Sequence, residues 1–279
     1  MVFMGTGIDL GLPRTFIRNL ETDERLFFGR RVTGLEEKRY RDRLAQGRDA
    51  GLYVPENPVI TIGGTSGCGK GGFVGTLQYC LKTDYGLVLP VTTAGQFMRE
   101  AAERYHFTDL MKFLEYCKEN TEMGEMIDKE IDTKTLQTAI TVGGIFDGRL
   151  APLVAGRWGL RTLVKVPDVG IIGQRISMDD NRPENRERKS KRLPNITPEE
   201  ATLITVKRDS EDIARYGRFY GIEDFRVELE RVATVVVDNS ANVERRKRES
   251  FRDAFMRSDA WTKFYKGVTG WLEAEGFVE

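Results

Sequence analysis

Apolar residues in this chain gather in short unbroken runs instead of alternating with polar ones. Val59–Ile62, Leu87–Val91, Val142–Phe146, Thr162–Val166 and Thr234–Val237 are each rich in Val, Ile or Leu. Runs of this kind mark strands buried on both faces, as in a parallel sheet covered by helices. Stretches with helical spacing separate them, among them Gly71 to Leu81. The pattern predicts an α/β three-layer sandwich around a parallel five-stranded sheet. In such sheets sites form beyond the carboxyl ends of the strands.

Two of the intervening stretches are too long for plain crossovers. The first, 95–140, reads as several helices. Phe107, Leu110, Met111 and Leu114 recur at helical spacing, and Ile127, Ile131 and Leu136 mark a later helix. These are expected core positions of a small helical insertion able to hold a second substrate over the sheet. The second, 174–225, is polar. Arg182, Arg186, Arg188, Lys189, Lys191 and Arg192 give it a basic run, read as a solvated face. Thr197-Pro198-Glu199-Glu200 then opens a helix: threonine caps, proline suits the first turn, and Glu200 completes a capping box. On that helix Arg208, Asp212 and Arg215 share one face at i, i+4, i+7. They make either a surface ion-pair ladder or a clamp for phosphate oxygens, which the planar guanidinium fork matches. Residues 1–56 read as an appended polar segment with short helices such as Leu35 to Ala45, 57–240 as the core, and 241–279 as a helical tail. With Trp261, Phe264, Tyr265 and Trp271, the tail is a candidate cover and self-association surface.

The chemistry centres on Gly64-Thr65-Ser66-Gly67-Cys68-Gly69-Lys70, set between the first strand and the first helix. Glycines let the backbone wrap an anion, successive N–H groups and a helix N-terminus point at it, and Lys70 reaches the β- and γ-phosphates of a nucleotide. Gly71 and Gly72 follow, where a hydroxyl ligand for magnesium is usual, so the loop itself offers none. Asp147, after the third strand, is the expected second handle on the metal, through water. Arg149 and Arg99 stand near strand ends where an acceptor phosphate would lie.

Composition narrows the setting. The 279 residues are 40% hydrophobic and 31% charged with zero formal net charge, which favours neither nucleic acid nor a membrane surface. Cys68, Cys80 and Cys117 form no disulfide or zinc pattern. No apolar run reaches membrane-spanning length, and no signal-peptide pattern opens the chain. A cytoplasmic setting is expected. The single histidine, His106, is read as a partly exposed helix-end residue.

Taken in order, Thr93-Ala94-Gly95-Gln96-Phe97-Met98-Arg99, Asp147-Gly148-Arg149-Leu150 and Arg208-x3-Asp212-x2-Arg215 followed by Tyr216 and Tyr220-Gly221-Ile222, behind the phosphate loop, resemble the cytidylate kinases, the archaeal-type branch above all. The resemblance runs from about Pro58 to Ser240. It implies a P-loop kinase with a helical acceptor-binding insertion and a lid, transferring the ATP γ-phosphoryl group to CMP or dCMP with Mg2+. It makes Gly64 to Gly72 the ATP-binding loop and Thr93, Arg99, Asp132, Arg149 and Asp212 acceptor-binding residues. Lys70, Arg149, Arg208 and Arg215 become the catalytic charges, with Arg175, Arg208 and Arg215 on the lid. A kinase of another small metabolite and an inactive nucleotide-binding regulatory protein are the alternatives.

Overall fold

The computed structural model describes residues 57–180, 183–191, 193–241 and 250–278. The expected helix Leu35 to Ala45, Arg182 and Arg192 lie outside them. The described residues hold a five-stranded, all-parallel sheet in the order β2-β3-β1-β4-β5. The strands are β1 (Val59–Gly63), β2 (Val91–Thr93), β3 (Gly144–Asp147), β4 (Gly159–Lys165) and β5 (Val235–Asp238). β1 is buried along its whole length, as a central strand covered on both faces must be.

Helices lie on both faces. On one side α1 (Lys70–Tyr85) packs with α10 (Phe251–Met256) and α11 (Asp259–Ala274). Ile60, Ile62 and Val164 of the sheet meet Phe73, Leu77, Phe255, Trp261, Phe264 and Val268 there. The aromatic face of the tail is therefore part of the main core: Phe73 lies edge-on to Phe255 and Phe264 at 4.9 Å each. On the other side α5 (Ala151–Val154), α8 (Pro198–Tyr220) and α9 (Phe225–Val232) contribute Val154, Tyr216, Tyr220, Phe225 and Leu229, and Leu163 faces them from β4.

Between β2 and β3 come α2 (Ala94–Arg104), α3 (Leu110–Glu119) and α4 (Thr121–Thr141). They share a small core of Ala101, Ala102, Phe113, Ile127 and Ile131. Phe113 is its fully buried centre on α3, while Leu110 and Leu114 turn to a cavity. Between β4 and β5 run α6 (Val169–Met178), α7 (Pro183–Ser190), α8 and α9. The capping box forms as expected: Thr197 Oγ1 accepts from Glu200 N–H, and Glu200 Oε2 accepts from Thr197 N–H. The basic run makes local contacts, Lys189 with Asp180 and Arg188 with the Pro194 carbonyl and Glu200. No described helix is long and apolar enough to cross a membrane.

Three expected strands shift by more than one residue at an end, each for a local reason. The run Leu87–Val91 enters the sheet only at its end, as Val91–Thr93. Leu87 donates its N–H back to the Leu81 carbonyl and so belongs to the end of α1; Pro90 has no N–H for a ladder. Val142 closes α4, and Gly143 N–H returns to the Thr138 carbonyl at φ 72°, a conformation glycine adopts without strain. The strand then starts at Gly144 and runs through Asp147. β4 begins at Gly159, before the apolar run, because its first residues pair with Val59 and Ile60.

Candidate active site

The parallel register sets Thr93, Ile62 and Asp147 side by side at the carboxyl end of the sheet. The phosphate loop leaves from β1, the strand of Ile62 and the central one of the five. Gly69 ends the loop at φ 94°, and a Cβ there would come within 2.6 Å of Asn239 Nδ2. Glycine is required on both counts. Asn239, buried just beyond β5, donates from that nitrogen to the Cys68 carbonyl at 2.9 Å. A side chain from the far end of the domain thus holds the loop's floor. At Gly71, by contrast, a Cβ would meet nothing within 4 Å; the missing hydroxyl has no steric cause.

Lys70 opens α1 and turns its ammonium into the loop, donating to the Gly64 and Thr65 carbonyls at 2.9 and 3.1 Å. Asp147 faces the same space. Burial pushes its carboxyl up, against the pull of the Lys70 ammonium. Lys70, Asp147 and Thr93 share one cavity of about 420 Å3 with Arg149, Arg208, Arg215, Asp128 and Asp132, ample for a nucleotide-sized ligand. Thr93 also caps α2, accepting from Gln96 N–H.

The cavity's far wall is electrostatic. Arg149, two residues past β3, forms an ion pair with Asp212 on α8, both largely buried. Burial pushes the guanidinium down to about 10, and the neighbouring Arg208 and Arg215 push it the same way. Arg215 bridges Asp212 at 2.7 Å and Asp128 on α4 at 3.1 Å. Three guanidiniums meet at one concavity, and their planar forks match a phosphate's oxygens. Further contacts dock α8 on the inserted helices: Lys118 with Glu211, Arg218 with Glu125, and Tyr220 O–H donating to Asp132.

Two site residues stand apart. Arg99 is exposed, its guanidinium beside Gly95 at the rim, and it is not among the described residues lining the cavity. Arg175, on α6, donates to the Ala241 carbonyl at 2.9 Å and feels Cys68 and Asp238. It lies beside the phosphate loop, away from the arginines of α8. His106 is exposed on the turn after α2.

Sequence reasoning missed three residues. Asn239 has no sequence signal until the end of β5 is known. Asp128 stands four residues before Asp132, a like-charge pair that weakens an isolated helix and so signals a task elsewhere. Asp209, buried on α8 between Arg208 and Asp212, directs its carboxylate at the Ser66 N–H of the phosphate loop, near Arg149 and Lys70. Burial pushes it up against that pull. The loop's anion-binding character is visible in this contact: the chain offers it a carboxylate of its own.

No described group of three or more His, Cys, Asp or Glu side chains could hold a metal alone. Asp147 with nucleotide oxygens and water is a donor set that suits Mg2+, which keeps several waters and takes one or two carboxylates beside substrate phosphates.

No family model matches the chain. Among curated proteins it is similar to the cytidylate kinase of Thermococcus sibiricus, 27% identical over 165 residues, 59% of this chain and 72% of that one. The cytidylate kinase of Pyrococcus furiosus is 28% identical with the same coverage. That of Pyrobaculum calidifontis is 27% identical over 122 residues, 44% of this chain and 60% of the relative.

Proposed function

From a chain that is cytidylate kinase-like, and distantly so, we propose ATP-dependent phosphoryl transfer to a nucleoside monophosphate, CMP or dCMP, giving the diphosphate and ADP. The observation that carries this reading is one cavity joining Lys70 and Asp147 to the arginines of Arg149, Arg208 and Arg215. A phosphate loop alone serves many ends. A second, arginine-walled space beside it is what a phosphorylated acceptor needs.

The backbone N–H groups of Gly64 to Gly72 and the Lys70 ammonium hold the β- and γ-phosphates of ATP. Arg149, steadied by Asp212, grips the acceptor phosphate, with Arg99 at the rim and Thr93 beside it. An oxygen of that phosphate, already unprotonated, attacks the γ-phosphorus in line. The bond to the β-γ bridging oxygen breaks, and ADP leaves with the electron pair. No side-chain base is required, so positioning and charge do the catalysis. Arg208 and Arg215 stand over the transferring group. Asp147, with water and the phosphates of ATP, would hold Mg2+, which when bound would neutralise phosphate charge. Docking of α8 excludes water, which limits hydrolysis.

Coupled ADP-formation assays with CMP, dCMP, UMP and AMP test this reading. CMP and dCMP are expected to raise ADP formation most, and Arg208→Ala to cost about 1000-fold in kcat. ATP binding with no acceptor raising turnover above background would overturn it.

A further inference from the structure

Of the phosphate loop, Lys70 alone is among the described residues lining the cavity. The loop's N–H groups have a neighbour of another kind. Asp209 on α8 is 8% exposed and faces the Ser66 N–H, while its Oδ1 is buried with no hydrogen-bond partner. Its cationic neighbours are Arg149, Arg226 and Lys70. Arg226 is already taken up by Asp224, through both of that carboxylate's oxygens. The carboxylate of Asp209 therefore stands between Lys70 of the loop and Arg149 of the acceptor wall.

A buried carboxylate with one oxygen unpaired is costly to keep. Its surroundings are those of a different anion. A carboxylate and a phosphoryl group both carry negative charge and accept from backbone N–H groups at a phosphate loop. In transfer, the group that passes between Lys70 and Arg149 is the γ-phosphoryl of the nucleotide. It calls for the same N–H and the same two cations as Asp209, and two anions cannot share them without strong repulsion. The neighbours of Asp209 on α8 already belong to the site: Arg208 lines the cavity, and Asp212, three residues on, pairs with Arg149.

We infer that Asp209 competes with the γ-phosphoryl group for the phosphate loop and so sets how far the site separates a nucleoside triphosphate from a diphosphate. ADP ends at its β-phosphate and leaves Asp209 facing Ser66. ATP has to turn the carboxylate away, and gains Arg149 in exchange. When the phosphoryl group departs with the acceptor, the carboxylate returns to the Ser66 N–H and covers that end of the loop. The inference rests on the kinase reading above, which makes the loop's ligand ATP.

The test is calorimetric binding of ATP and of ADP, each with Mg2+, to the full chain as wild type, Asp209→Asn and Asp209→Ala, with CMP-dependent ADP formation measured beside it. The amide keeps the shape and an acceptor oxygen but not the charge. In Asp209→Asn, affinity for ATP is expected to rise about 10-fold and that for ADP to change less than about twofold. Asp209→Ala, which removes the competitor outright, is expected to move the balance the same way. The ratio of the two affinities is read because it does not depend on the folded fraction. An unmoved ratio overturns the inference, and so does weaker ATP binding, which would make Asp209 a holder of the nucleotide. A ratio that shifts toward ATP while no acceptor raises ADP formation keeps the role of Asp209 and overturns phosphoryl transfer. CMP-dependent ADP formation with an unmoved ratio does the reverse, and absence of both nucleotide binding and turnover overturns both.

Discussion

The phosphate loop and the acceptor cavity face each other across one cleft, yet they are made of different material. The loop is backbone: glycines, carbonyls and N–H groups within seven consecutive residues, with one lysine folded into it. The acceptor wall is side chain: Asp128 and Asp132 from α4, Arg149 from beyond β3, Arg208, Asp212 and Arg215 from α8. A backbone site tolerates substitution wherever no side chain is asked for. A side-chain site built of buried charges depends on every partner being present.

That difference orders the expected effects of substitution. Arg149→Ala leaves Asp212, 4% exposed, with Arg215 as its remaining counter-charge, and is expected to cost about 3 kcal/mol in urea unfolding. Lys70→Ala, whose ammonium donates to the Gly64 and Thr65 carbonyls and the Cys68 sulfur of its own loop, is expected to cost about 1 kcal/mol. Equal losses would erase the distinction between the two regions.

The next effect is a pH dependence. The folded state holds the Asp132 proton up to about 7, against a carboxylate's ordinary 3.8. The stability this gives is complete below the ordinary value and is lost as pH rises through about 7. Burial pushes Asp128, Asp147 and Asp209 the same way. Asp132→Asn removes one part of the slope, so its Tm is expected to gain on the wild type between about pH 5 and about pH 8. Parallel curves would show that Asp132 is ionised throughout.

Asn239→Ala leaves the buried Cys68 carbonyl unpaired, a loss of about 1–3 kcal/mol. It is expected to raise the KM for ATP and leave that for CMP unmoved; a rise in both would couple the halves more closely than the contacts do. The smallest effect belongs to Gly71→Ser. With open space for its Cβ, the variant is expected to fold with about 0.5 kcal/mol more helix stability and to bind Mg2+ with ATP more tightly, read by titration of the metal.

How much could be read from the chain follows the same division. The strand, the glycines and Lys70 are contiguous, so loop, first helix and parallel sheet were legible. The capping box placed the start of α8, and i, i+4, i+7 spacing placed Arg208, Asp212 and Arg215 on one face. Helix ends and strand starts at Gly86, Pro90 and Gly143 were not, because an αL glycine or a missing N–H decides them within one residue. Nor was the direction of each arginine. Arg149, Arg208 and Arg215 meet in the cavity, while Arg175 lies behind the loop and Arg99 at the rim; spacing tells which face a residue takes and nothing about which helix docks against it. Asp128 and Asp209 acquire meaning only once α4 and α8 are opposed.

The bond from Asn239 to Cys68 spans 171 residues, and it has a consequence for the order of assembly. A ribosome finishes the glycine loop early and delivers its floor much later, after both insertions and the last strand have emerged. Non-local closure of that kind is slow relative to helix formation. The nascent chain therefore carries the nucleotide motif through the making of those 171 residues without the contact that floors its loop. Pulsed hydrogen exchange during refolding is expected to show protection around Cys68 arriving together with that of β5, and earlier arrival would separate the two.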